Sequence, residues 1–136
     1  MVLVTIVIPV YGDSEALART LSTFDGGGAE VIVVSTGEDT GSLAPLRLTR
    51  SDIAWIQAPR GRARQMNAGA AVAHGRWLLF LHADTRLSPD WRSAIVAADR
   101  DPRVSAGCFR FALLILFDDL LQYTFHDCVI LKVKHG

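Results

Sequence analysis

Read for its succession of apolar and polar positions, the chain opens on a nearly unbroken β-branched run. Val2 to Pro9 carries no charged residue, the pattern of a strand covered on both faces in a parallel sheet. The period then changes. After Gly12, either Asp13 or Ser14 can cap a helix in which Leu17, Leu21 and Phe24 recur at spacings of four and three, and Gly26-Gly27-Gly28 ends it. Val31 to Val34 predicts a second short buried strand. The polar, glycine-punctuated stretch Ser35 to Ser42 predicts a loop facing ligand or solvent. Ile53 to Ile56 predicts a third strand, stopped before Pro59. Arg62 to His74 predicts a helix with Ala63, Met66, Ala70 and Ala73 along its buried stripe, ended by Gly75. Trp77 to Leu81 reads as a fourth strand, Asp90 to Asp99 as a helix opened by Pro89, and Val104 to Phe111 as a fifth strand. Farther on, Leu113 to Phe125 reads as an amphipathic helix and Val129 to Val133 as a strand.

Strand alternating with helix implies an α/β fold, a three-layer, mostly parallel, doubly wound sheet. Such sheets bind ligands in the crevice beyond the carboxyl ends of their strands. Those ends fall at Pro9 to Asp13, Ser35 to Asp39 and His82 to Asp84. Composition narrows the partners. The chain has 136 residues, half of them hydrophobic, which is enough for one domain with one core. Fourteen Lys and Arg balance fourteen Asp and Glu, so nothing in the overall charge favours nucleic acid or a membrane surface, and functional charge must be local. Cys108 and Cys128 have neither metal-ligand spacing nor the density of a disulfide scaffold, so a reducing, cytoplasmic compartment is expected. Val2 to Val10 lacks a basic leader and contains Pro9, unlike a signal peptide. No apolar run reaches the ~20 residues of a spanning helix, so membrane contact would be peripheral at most.

Local charge concentrates in one place. Arg60, Arg62 and Arg64 surround the predicted start of a helix, where each cation opposes the helix dipole at roughly 0.3–1 kcal/mol. An anion there is favoured by the dipole, the free N–H groups and the arginines together. A diphosphate would resolve the conflict, and a solvated basic patch is the plainer alternative. Asp84 follows an apolar strand and should emerge at the crevice, where a carboxylate suits Mg²⁺ or Mn²⁺, hard cations that complete their shell with phosphate oxygens. His82, two residues earlier, points to the same side of an extended chain and could ligate metal or hydrogen-bond a ribose. The alternative for Asp84 is a turn or capping residue before Thr85.

The stretch Asn67-x-Gly69-x-x-x-Ala73-x-Gly75, followed by an apolar strand into Phe80-Leu81-His82-Ala83-Asp84, resembles the signature of family 2 glycosyltransferases, with His82-Ala83-Asp84 at the place of their DXD motif. Independently, Ile6-Val7-Ile8-Pro9-Val10-Tyr11 resembles the family's opening strand. The wording Gly61-Arg62-Ala63-Arg64-Gln65-Met66-Asn67 with Leu81-His82-Ala83-Asp84-Thr85 resembles a bacterial subgroup. The resemblance covers about residues 3 to 111. It implies a GT-A fold and inverting transfer of a sugar from a nucleoside diphosphate, most often UDP, to an acceptor hydroxyl. It further implies nucleotide-sugar contacts at Pro9, Tyr11, Asp13, Arg62, Arg64, Asn67, His82, Ala83 and Asp84, and Mn²⁺ or Mg²⁺ at Asp84 and His82. Metal and arginines would neutralise charge developing on the leaving diphosphate.

The departures carry expectations of their own. Where the family has aspartates after its second strand, this chain has Ser35 and Thr36, with Asp39 the carboxylate that could reach inward. The aspartate that opens the DXD motif is His82. The family's catalytic base comes from a segment beyond the position of Phe111, and Asp118, Asp119 and Asp127 do not match its motif. The chain is therefore expected to divide into a nucleotide-sugar-binding core, 1–111, and an atypical tail, 112–136. It is expected to be a truncated form that binds donor and turns it over poorly, with apolar surface from Leu113 onward favouring a homodimer. The rival readings are a non-catalytic nucleotide-sugar-binding module and a nucleotidyltransferase. The last would carry a basic, glycine-rich loop after its first strand, where this chain has Val10-Tyr11-Gly12-Asp13.

Overall fold

The computed structural model describes residues 2–22, 28–85, 87, 89–117 and 120–133, without the side chains of residue 40 and of residues 108–129. Six strands make one sheet in the order β3-β2-β1-β4-β6-β5, formed by β1 (Val4–Pro9), β2 (Glu30–Ser35), β3 (Ala54–Gln57), β4 (Trp77–Phe80), β5 (Ala106–Phe117) and β6 (Leu120–Lys132). The first four are parallel, with Val7 opposite Ile32 on one side and Phe80 on the other. β6 runs antiparallel to β4, and β5 to β6. The expected three-layer, mostly parallel sheet is the fold observed, with an antiparallel pair added at one edge.

Burial follows the pleat. Ile6 and Ile8 belong to the larger core cluster, with Leu17 and Leu21 of α1 (Ser14–Ser22), Leu43 of α2 (Thr40–Thr49) and Trp91 and Ile95 of α4 (Trp91–Arg100). Val7, Ile32 and Val34 face the other way, against Ala68 and Ala73, in and just after α3 (Arg62–Val72). One face of the sheet therefore rests on α3 and the other on α1, α2 and α4, which accounts for the apolar runs Ile6–Ile8, Val31–Val34 and Trp77–Phe80 in β1, β2 and β4.

Three expectations are corrected. The stretch from Ser35 is not only a loop: a 3₁₀ turn, Gly37–Asp39, leads into α2, whose weak amphipathic pattern and internal Pro45 hide it from a periodicity reading. The buried stripe of α3 is also different. Ala63 is exposed, Met66 and Ala70 are half-buried, and the residues fully buried are Gln65 and Gly69. A Cβ at Gly69 would overlap the Val7 Cγ1 methyl and lie 3.1 Å from Val34 Cγ2, so the helix lies on the sheet through a glycine. Finally, where a helix was expected over Leu113 to Phe125, residues 113–117 and 120–125 are strand, belonging to β5 and β6, which pair from Ala106↔Leu131 to Phe117↔Leu120. The apolar residues of this stretch are contiguous and rich in Phe, Ile and Leu rather than spaced by three and four, which suits a pleated strand.

Phe24, Gly26, Gly27, Asp118 and Asp119 lie outside the described residues. So do the side chains of Cys108, Cys128 and Asp127 and those from Leu113 onward on which the expected dimer surface depended. Among the described residues no helix is long and apolar enough to cross a membrane.

Candidate functional site

A cleft of about 280 Å³ opens at the carboxyl edge of the sheet, lined by Pro9, Val10, Tyr11, Asp13, Arg60, Gly61, Arg62, Gln65, His82, Ala83 and Asp84. Three segments that are distant in sequence meet there because β1, β4 and the turn before α3 all end on the same side. Of the residues singled out by sequence, Pro9, Tyr11, Asp13, Arg62, His82, Ala83 and Asp84 line it. Arg64 and Asn67 are exposed on α3 and do not.

The first wall is the loop after β1. Val10 N–H donates to the Val34 carbonyl at 2.9 Å, continuing the ladder one residue past the strand. Gly12, at φ 65°, then turns the chain, and its N–H donates to Asp39 Oδ1 at 2.9 Å. Asp39 is 7% exposed and also accepts from the Thr36 hydroxyl at 3.2 Å. Asp39 thus turns inward but does not line the cleft: its carboxylate braces the loop's backbone from beneath.

The second wall is the turn into α3. Gly61 sits at φ 142°, a conformation that favours glycine, and no side chain caps the helix. Its first turn therefore leaves backbone N–H groups without intrahelical partners beside Arg60 and Arg62. Arg60 stacks over the Tyr11 ring at 4.0 Å from the centroid, an attraction of about 0.5–1 kcal/mol at an exposed site. Among the described residues Arg62 has no salt-bridge partner. Gln65 is 3% exposed and closes the cleft floor.

The third wall is the turn after β4. Leu81 N–H donates to the Val7 carbonyl at 3.0 Å and Thr85 N–H to the His82 carbonyl at 3.1 Å, which folds His82 to Thr85 into a tight turn. The Thr20 hydroxyl of α1 donates to the Ala83 carbonyl and anchors that turn from below. Asp84 is left exposed at the rim, its carboxylate without a hydrogen-bond or ion-pair partner among the described residues. No group of three or more His, Cys, Asp or Glu that could hold a metal occurs among them.

Residues 5–115 match the sequence profile described as Glycosyl transferase family 2. The chain belongs to that family. No curated protein matches it. Among solved structures, S. aureus TarS 1-349 superposes with a TM-score of 0.61 at 18% identity, over 72% of this chain and 32% of that one. The 4-diphosphocytidyl-2C-methyl-D-erythritol synthase of Anaerococcus prevotii DSM 20548 gives 0.65 at 13% identity, over 96% and 70%. The bifunctional IspDF of Campylobacter jejuni gives 0.58 at 12% identity, over 96% and 41%. At these identities the likeness is one of fold. The chain spans about a third of TarS 1-349.

Val10, Gly61 and Gln65 were not singled out as site residues by sequence, and Arg60 was flagged only as the first of three clustered arginines. Gln65 carried no signal, because an amide inside a helix reads as surface until the sheet beneath it is seen.

Proposed function

We propose that this family 2 domain binds a nucleoside-diphosphate sugar, most simply a UDP-sugar, in the cleft at the carboxyl edge of its sheet and serves inverting transfer of the sugar to an acceptor hydroxyl. One observation carries the reading: the cationic turn into α3 and the exposed Asp84 line one cleft together with the loop of Tyr11 and Asp13. A diphosphate set against the α3 N-terminus would meet free N–H groups, the positive end of the dipole and Arg62 together. Half-exposed Tyr11 offers a ring face to a base, and Asp13 offers an acceptor to ribose hydroxyls.

A divalent cation fits this donor set. Asp84 is a free carboxylate at the rim, with half-buried His82 two residues away. Mg²⁺ and Mn²⁺ suit such a site because they take one or two protein ligands and fill the remainder with phosphate oxygens and water. When bound, the metal would neutralise charge on the departing diphosphate. The protein's own contribution would be Arg62 and the N–H groups of the α3 turn, which stabilise the negative charge that builds on the diphosphate as its bond to the sugar breaks, with Asp84 holding the cation.

A nucleotidyltransferase reading rests on a shared sheet alone, and the acidic Val10-Tyr11-Gly12-Asp13 loop lacks the basic glycine-rich character that reaction would require there. Calorimetric titration of the chain with UDP, with and without Mn²⁺, tests the proposal. Saturable binding strengthened by Mn²⁺ is expected, and no binding under either condition would overturn it.

A further inference from the structure

We propose that Gln65 is the positioning residue of the cleft, a buried amide that locks the aromatic loop and the arginine turn in register without touching the ligand's reacting atoms. The inference rests on the donor-binding reading above. Gln65 Nε2 donates both its hydrogens, one to the Val10 carbonyl and one to the Val34 carbonyl, each at 2.9 Å. Its Oε1 faces the Gly61 N–H at 3.4 Å. A single side chain thereby ties the residue before Tyr11, the end of β2 and the residue that opens α3.

The chemistry of those three partners explains why an amide stands here. Two converging carbonyls need two N–H donors on one atom, and the Gly61 N–H needs an acceptor on the other. Among side chains of this length only a carboxamide supplies both. Glutamate would set a carboxylate against two carbonyl oxygens, and methionine would fill the space while leaving the Val10 carbonyl buried without its side-chain donor. One turn farther along α3, Gly69 lets the helix lie directly on Val7 and Val34, so the amide reaches the strand ends from a backbone already pressed against the sheet. Asp39, holding Gly12 N–H, fixes the other end of the loop. With Val10 and Gly12 both pinned, Tyr11 is presented from a backbone held on either side. Gln65 also occupies the Gly61 N–H, which leaves the next N–H groups of the first turn, those beside Arg62, as the donors open to an anion.

A merely structural role would lower stability without changing the affinity of the folded protein, and this decides the test. Gln65→Met and Gln65→Glu are compared with Ile95→Val, a core change on the opposite face of the sheet. Amide hydrogen exchange is followed in the absence of ligand, and UDP affinity by calorimetry in Mn²⁺ at a temperature where circular dichroism shows each variant folded. The expected result for both Gln65 variants is faster exchange confined to Val10–Asp13 and Gly61–Gln65, with UDP affinity at least about tenfold weaker, as for the loss of a residue that pre-organises a site. Ile95→Val should keep wild-type affinity. Unchanged exchange in the two segments, exchange faster everywhere in step with lost stability, or wild-type affinity in folded Gln65→Met would each overturn the assignment. Wild-type protein that fails to bind UDP refutes the donor reading instead, and the ligand-free exchange arm still decides whether Gln65 couples the two walls.

Discussion

Adding one methyl group at Gly69 sets two opposing effects against each other. In the interior of a helix, alanine is favoured over glycine by about 0.8–1 kcal/mol. At this position, however, the new Cβ would overlap Val7 Cγ1 and come within 3.1 Å of Val34 Cγ2. Val7 is fully buried on β1, which is paired on both sides, and its branched side chain has little freedom to rotate away. Relief must come from α3 lifting off the sheet, and overpacking of this kind costs about 1–3 kcal/mol. With the strand unable to retreat, the upper part of that range applies, giving a net loss of about 1–2 kcal/mol for Gly69→Ala. For a chain of this size that lowers Tm by roughly 3–10 °C. Thermal unfolding by circular dichroism measures it, and the Gly69→Ala/Val7→Ala double variant checks the cause. Space opened at Val7 should remove most of the penalty, a coupling of at least about 0.5 kcal/mol. A Gly69→Ala protein as stable as the parent, or more so, would show that helix propensity is the whole effect and that the close approach of α3 is not real.

Two further outcomes follow from the charges. Glu30 is partly buried, which pushes its pKa up, but the His74 backbone N–H, the His74 ring and the Thr5 hydroxyl pull harder, so it lies below its ordinary 4.5 in the folded state. A carboxyl group depressed by folding contributes stability that is present above about pH 4.5 and is lost as pH falls through the lower folded value. In Glu30→Gln, urea midpoints should therefore fall less steeply below pH 4.5 than in the parent, and identical acid limbs would refute the assignment. Arg62→Ala should weaken UDP binding at least about tenfold while changing uridine binding little, and Arg64→Ala, outside the cleft lining, should do less; equal losses for UDP and uridine in Arg62→Ala would argue against a diphosphate contact.

What the sequence disclosed depended on whether the relevant interaction leaves a trace in residue order. The parallel strands were legible because burial on both faces makes Ile6 to Val10, Val31 to Val34 and Trp77 to Leu81 apolar without a break. The turns at Tyr11 to Asp13 and His82 to Asp84 were legible as strand ends, and their meeting in one cleft follows from parallel topology. The packing face of α3 was not. Its fully buried residues are an amide, Gln65, and a glycine, Gly69, and hydrophobic periodicity gives both no weight, although a Cβ at Gly69 would overlap Val7. α2 escaped notice for a similar reason, its Pro45 and weak pattern being overruled by the burial of Leu43. The start of β5 and the end of β6 were legible as the strands expected at Val104 to Phe111 and Val129 to Val133, but Leu113 to Phe125 between them was misread as helix because a contiguous apolar run fixes no period, and register with β4 came only from tertiary pairing. Asp39 was suspected of reaching inward, but its partner, the Gly12 N–H, is a backbone group that no pattern of side chains predicts.

The central claim is that Asp84 and the α3 turn together hold a nucleoside diphosphate through a divalent cation. Its most direct measurement is calorimetric UDP affinity with and without Mn²⁺, for the parent and for Asp84→Ala. Asp84 is exposed and, among the described residues, unpartnered, so its removal should leave the fold and Tm essentially unchanged. The account predicts that Mn²⁺ strengthens UDP binding to the parent at least about tenfold, or about 1.4 kcal/mol. In Asp84→Ala that gain should vanish, while the weak metal-free binding through Arg62 and the α3 N-terminus persists. An undiminished Mn²⁺ effect in Asp84→Ala would contradict it.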